Sequence, residues 1–204
     1  MLICFFSDHG DHLGDHRAWQ KESFFEQSCR VPFLVSWPRR LPKGAKRDEL
    51  VCLTDLFGIA TSAAGHGEHR EGIDVIGVIE GRAKPRQRLA GCYGVPMNPA
   101  FKMMLREGDW NYIYIANGGR EQLFNVTEDP MELRNRIADS PDVAKRLREA
   151  AVEAASAPNV NRALEGGSLR AFPYKPMPRQ RIYQFDGSRG VIGFPEKPAD
   201  VLKT

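Results

Sequence analysis

The sequence lacks what would place it in a membrane, a zinc ribbon or a disulfide scaffold. No apolar run approaches the roughly 18 residues of a membrane span. None of the four cysteines, Cys4, Cys29, Cys52 and Cys92, stands in a Cys-x-x-Cys pair, which argues against a zinc ribbon or a thioredoxin-like motif. Cys4 and Cys52 lie in apolar runs and read as buried free thiols. Residues 1–6 are too short for a secretory leader and have no basic start; they read as a strand. There is no internal repeat and little charge bias, with 29 Lys and Arg against 26 Asp and Glu. The small excess sits at the end: from Gly166 on, seven basic residues face three acidic ones. With its prolines, this tail reads as a solvated, extended segment rather than a nucleic-acid binder. Neither nucleic acid nor membrane is an expected partner.

What is present is enough for one large domain. A chain of 204 residues can bury about 70% of the surface exposed when unfolded. Leu2-Ile3-Cys4-Phe5-Phe6 and Val31-Pro32-Phe33-Leu34-Val35-Ser36-Trp37 are continuous apolar runs, the pattern of strands covered on both faces. Thr54 reads as an N-cap, with Asp55 in the first turn of a helix that ends by Gly65. Residues 73–100 give little pattern beyond a strand at 89–93. After Pro99 the period becomes two. Residues 101–106 read as a strand, and Trp110, Tyr112 and Tyr114 alternate with Ile113 and Ile115. Asn117-Gly118-Gly119 predicts a hairpin into residues 122–126 through a tight turn that needs positive φ. Ser140 and Pro141 open a helix with a stripe of Val143, Leu147, Ala150, Ala151 and Ala154. The whole suggests an α/β layer followed by an antiparallel sheet with one packed helix.

The densest chemistry is at the start. Residues 7–16 read Ser-Asp-His-Gly-Asp-His-Leu-Gly-Asp-His, three Asp-His pairs holding three of the five histidines. Ligand sites in open α/β sheets lie outside the carboxyl ends of strands, where Asp8 and His9 fall. A carboxylate favours Ca²⁺ or Mg²⁺, and an imidazole admits Mn²⁺ or Zn²⁺ as well. Two ligands do not complete a site. The alternative is a solvated loop in which the aspartates cap turns. His66 and His69 also have a ligand-like spacing, in a polar loop.

Ser7-Asp8-His9-Gly10, Leu13-Gly14-Asp15-His16, Trp19, Lys21 and Cys29-Arg30-Val31-Pro32 closely resemble the C-terminal half of the sulfatase family, within the alkaline phosphatase superfamily. The resemblance continues in order through Asp55-Leu56-Phe57, Gly108-Asp109-Trp110, Gln122-Leu123-Phe124-Asn125 and Asp129-Pro130. It implies a partial alkaline-phosphatase-like α/β sheet over residues 1–98, a small α+β subdomain over 99–157, and a tail over 158–204. It implies that Asp8 and His9 bind a divalent metal, usually Ca²⁺ with Mg²⁺ or Mn²⁺ as alternatives, and that Lys21 contacts the sulfate of a sulfate-ester substrate. Asp15 and His16 would shape the loop, and His12 would be exposed.

The family's nucleophile is a formylglycine made within a Cys/Ser-x-Pro-x-Arg motif. No match to it is expected in this chain; Cys29-Arg30-Val31-Pro32 comes nearest, with its proline one place late. The nucleophile and the remaining metal ligands are expected upstream of residue 1, so no catalytic residue is assigned to this chain. A separate N-terminal half of the core is then the expected partner, and the chain alone should be inactive or nearly so. A phosphodiesterase or phosphonate monoester hydrolase of the same superfamily, or a non-catalytic interaction module, are the alternatives. The tail could also join copies of the chain. Compartment is left open.

Overall fold

The computed structural model describes residues 1–68 and 70–176. The first apolar run forms β1 (Ile3–Phe6), followed by a one-turn helix α1 (Glu26–Cys29). The second run forms β2 (Phe33–Ser36), antiparallel to β1, with Phe6 opposite Phe33 and Ile3 opposite Ser36. Cover on both faces was expected and is not found. Cys4 and Val35 point toward Ile59 and Ile76, but Ile3, Phe5 and Leu34 on the opposite face are 51%, 61% and 60% exposed. The continuous apolar pattern is satisfied on one side only among the described residues. Cys4 and Cys52 are accordingly half-buried rather than buried, and all four cysteines are free.

The inner face rests on α2 (Asp55–Ala63) and α3 (Val75–Ile79). Thr54 precedes α2 but makes no side-chain cap. Asp55 does far more than occupy a first turn. It is fully buried, accepts Cys52 N–H at 2.8 Å and Ile73 N–H at 2.9 Å, and takes two hydrogen bonds from Arg86 at 2.7 and 2.9 Å. Burial raises the cost of its charge, but the Arg86 and backbone donors outweigh it and hold the carboxyl below its ordinary range. α3, which the sequence pattern did not reveal, is capped by the Asp74 carboxylate on Gly77 N–H at 2.8 Å.

The second half is a four-stranded antiparallel sheet in sequence order: β3 (Arg88–Tyr93), β4 (Lys102–Glu107), β5 (Trp110–Ile115) and β6 (Arg120–Asn125). The β5–β6 hairpin lies where Asn117-Gly118-Gly119 predicts it, though residues 116–119 all belong to the loop. Gly118 and Gly119 supply the positive φ, leaving Asn117 to bridge to Phe172. Helix α4 (Pro141–Ala155) lays Ala144, Leu147, Ala150, Ala151 and Ala155 on Met103, Leu105, Tyr112, Tyr114 and Leu123. The alanines let the helix come close to the two bulky tyrosines. Tyr112 O–H donates to Glu121 at 2.5 Å, which Arg148 of α4 also holds at 2.5 and 2.6 Å.

Packing does not stop at residue 157. β7 (Leu164–Glu165) and β8 (Ser168–Leu169) form a small hairpin, and Tyr114 O–H contacts the carbonyls of Leu169 and Arg170 at 3.1 and 3.0 Å. Met1–Pro173 forms one compact unit. The part of the tail expected to reach another copy lies largely outside the described residues. No helix among the described residues is long and apolar enough to cross a membrane.

Candidate metal and anion site

β1 delivers Asp8 and His9 to its carboxyl end, as its position in the sequence predicts. Their geometry is set by the backbone around them. Ser7 Oγ donates to His9 O at 2.7 Å, and Gly10 N–H donates to Ser28 O at 2.9 Å. A Cβ on Gly10 would lie 2.0 Å from Gln27 O, so only glycine permits this approach. His9 Nδ1 sits 2.7 Å from Gly10 O, an atom that can only accept, which fixes the proton on Nδ1. In the neutral ring Nε2 then keeps a lone pair, and it lies 3.2 Å from Asp8 Oδ2, with which a protonated ring forms an ion pair. Two electron-rich atoms thus converge on one point at the surface, where Asp8 is 77% exposed and His9 37%. Among the described residues no group of three or more His, Cys, Asp or Glu could hold a metal ion, so these two donors stand as a pair.

Lys21 is exposed, at the foot of a closed loop. Asp11 Oδ1 accepts Leu13 N–H at 2.9 Å and Gln20 N–H at 3.1 Å, and His12 N–H donates to Gln20 O at 2.9 Å. These bonds close a neck between residues 11–12 and 20, so Lys21 emerges beside the segment that leaves Asp8 and His9. Leu13, His16, Arg17 and Gln20 all have positive φ, a concentration of backbone strain within one loop. The structure shows no contact between Lys21 and the Asp8–His9 pair.

The loop is shaped differently from what the sequence suggests. Asp11, not Asp15, makes the shaping hydrogen bonds. His12 is not exposed. It is 2% accessible, bonds Ser23 Oγ at 2.6 Å through Nε2, and its Nδ1 has no partner. Burial, then the neighbouring His16, pushes His12 below the ordinary histidine range. His16 stacks on Phe25 with ring centres 3.9 Å apart, and Phe25 meets Phe124 of β6 at 5.6 Å. His12 and His16 therefore both pack on Phe25, which carries the loop onto the sheet at Phe124. His66 lines an open groove beside α2, and His69 lies outside the described residues.

One pentapeptide does have the Ser-x-Pro-x-Arg spelling: Ser36-Trp37-Pro38-Arg39-Arg40. Its place removes it from the site. Ser36 pairs with Ile3, at the opposite end of the β1–β2 ladder from Asp8. The Arg40 guanidinium lies 4.8 Å from the Trp37 ring centre and binds Glu80 through two nitrogens.

Sequence reasoning missed Lys102, Asn111 and Glu132, which hold residues 22–26. Lys102 Nζ donates to Glu22 O, and Asn111 Nδ2 donates to Phe24 O at 2.9 Å and Glu132 Oε1 at 2.6 Å. Glu132 Oε2 accepts Glu26 N–H at 2.6 Å. Glu132 is 2% exposed, and burial pushes its carboxyl up to about 7, outweighing these hydrogen bonds. The available signal was Asn111, a polar residue in the register of Ile113 and Ile115 within an otherwise buried strand.

Residues 14–156 match the family described as N-sulphoglucosamine sulphohydrolase, C-terminal. The choline-sulfatase of Rhizobium meliloti (strain 1021) is 34% identical over 145 residues, covering 69% of this chain and 27% of that protein. Arylsulfatase K of Danio rerio is 30% identical over 181 residues, covering 84% of this chain and 34% of that protein. The chain therefore spans about a third of the length of these relatives. In fold it is similar to a solved 2-O GAG sulfatase, with a TM-score of 0.71 at 20% identity over 84% of this chain and 39% of that one. It is also similar to the phosphonate monoester hydrolase of Agrobacterium radiobacter, with a TM-score of 0.58 at 25% identity over 73% and 33% of the two chains.

Proposed function

We propose, because the chain belongs to the N-sulphoglucosamine sulphohydrolase C-terminal family of sulfatases, that it contributes a metal half-site and an anion contact to hydrolysis of a sulfate ester. The observation that carries this reading is the His9 ring. Its Nδ1 lies 2.7 Å from Gly10 O, and its Nε2, which carries the lone pair in the neutral ring, faces Asp8 Oδ2 at 3.2 Å. A histidine that ligates a metal usually donates its other ring N–H in this way. An oxygen and an imidazole nitrogen fit a divalent cation; Ca²⁺ is the first choice because the resemblance to sulfatases implies it, with Mg²⁺ or Mn²⁺ compatible. When bound, such an ion polarises an anionic oxygen as a Lewis acid. Asp8 and His9 would hold it, and the other ligands would come from outside the described residues. The Lys21 ammonium would neutralise charge on a sulfuryl oxygen as the ester bond breaks.

In this reading the chain works with the upstream part of a sulfatase core, which brings the formylglycine nucleophile. Aryl sulfate turnover by the complemented protein should fall by at least about 100-fold in Lys21→Ala. Calorimetric Ca²⁺ binding by the complemented protein should weaken in Asp8→Ala. Unchanged turnover in Lys21→Ala, or full turnover by the isolated chain, would sink the proposal. The likeness to the phosphonate monoester hydrolase favours a second reading, in which Lys21 receives a phosphate or phosphonate ester. Relative rates of the complemented protein on sulfate and phosphonate esters separate the two.

A further inference from the structure

The stretch that follows Lys21 has no strand partner of its own. Its main chain is gripped instead by the side chains of Lys102, Asn111 and Glu132, at the Glu22 carbonyl, the Phe24 carbonyl and the Glu26 amide. Three side chains thus hold three main-chain groups of a segment that bends at Ser23 and Phe25 and enters α1 at Glu26. Two of them, Asn111 and Glu132, are 2% exposed and bonded to each other at 2.6 Å, so the grip is rigid and dry. All three come from the C-terminal sheet and the turn after β6. The gripped segment passes the constraint on in both directions. Toward the N-terminus, Lys21 is the next residue. Toward the C-terminus, Ser28 O receives the Gly10 N–H that sets the Asp8–His9 turn.

We propose that Lys102, Asn111 and Glu132 are positioning residues for the Lys21 anion contact, acting through the backbone of residues 22–26. The role rests on the reading of Lys21 given above. It assigns the C-terminal subdomain a part in the chemistry although none of its side chains meets the proposed substrate.

The test follows amide hydrogen exchange in the 204-residue chain, and sulfate binding, with inorganic sulfate as the probe, in the same chain complemented by the upstream part of the core. Lys102→Met keeps the aliphatic stem and removes only the donor; Asn111→Ala removes the central grip. Glu121→Gln, which disturbs the helix side of the same sheet, is the control. Exchange across residues 20–30 should speed up about tenfold or more in Lys102→Met and Asn111→Ala while α4 keeps its protection. Glu121→Gln should show the reverse. Sulfate binding, followed at the Lys21 side chain by NMR, should weaken at least threefold in Lys102→Met and recover in Lys102→Arg. Unchanged exchange at 20–30, or loosening only in step with α4, overturns the proposal even if sulfate still binds at Lys21. A loosened loop in a chain whose Lys21 ignores sulfate overturns the Lys21 reading, and the positioning role with it. Should Asn111→Ala fail to fold, Lys102→Met alone decides.

Discussion

The two β systems of this chain differ in how many faces they bury. β1 and β2 cover one face and leave Ile3, Phe5 and Leu34 open to solvent. The β3–β6 sheet covers both, with α4 on one side and the Phe24–Phe25 segment on the other. The first leaves large apolar side chains in water; the second buries its central strands from both sides. The proposed chemistry sits on the incomplete half and draws its support from the complete one.

The sharpest way to probe that contrast is to break the strongest internal tie of each half. Arg86→Met leaves the Asp55 carboxylate buried without its cation and should cost about 3–5 kcal/mol. Leu147→Ala, under α4, should cost about 2–5 kcal/mol. Since Met1–Pro173 forms one compact unit, both should shift a single urea transition rather than separate two. Two resolved transitions would show that the halves fold independently.

The ease of reading the sequence follows the same divide. β5 lies where the alternation of Trp110, Tyr112 and Tyr114 predicts it, and α4 starts at Pro141, because both patterns are local and periodic. The Asp8–His9 turn was legible because a strand must end before polar residues can gather. The open face of β2 was not, since a continuous apolar run looks the same whichever layer covers it. Nor was the Glu132 contact with Glu26, whose partners stand 106 residues apart and share no pattern. The inward turn of His12 was hidden as well, because a histidine flanked by aspartates reads as solvated until Ser23 and Phe25 are seen around it.

A second, smaller effect tests the joint between the halves. Glu132 is raised from 4.5 to about 7 by burial, so the fold favours its protonated form. Stability from this group is full below about 4.5 and is lost as pH rises through about 7, on the order of 3 kcal/mol in all. Asp55 and Glu121 are shifted the other way, so their contributions vanish only as pH falls below the ordinary carboxylate range. Between pH 5 and 8 the depressed His12 works against this, adding stability as pH rises toward 6.5, so urea midpoints should decline in the native chain and lose that decline, leaving only the His12 rise, in Glu132→Gln. A flat native profile in that window would contradict the buried position of this carboxyl.

The smallest effect is expected on the open face. Phe5→Thr should change stability by no more than about 0.5 kcal/mol, because the ring is already in water. It should nonetheless reduce self-association in sedimentation experiments, since it removes part of an exposed apolar patch. A loss above about 1 kcal/mol would mean that the face is covered after all.

Gly10 gives the site an unusual kind of memory. The spacing between the turn that bears Asp8 and His9 and the segment beyond Lys21 is recorded in main-chain atoms, Gly10 N–H against Ser28 O with Gln27 O where a side chain would begin. Drift at the surrounding side chains can recolour the loop without altering that distance. A methyl group at position 10 would erase it in one step, while leaving both proposed metal donors and the lysine in the sequence.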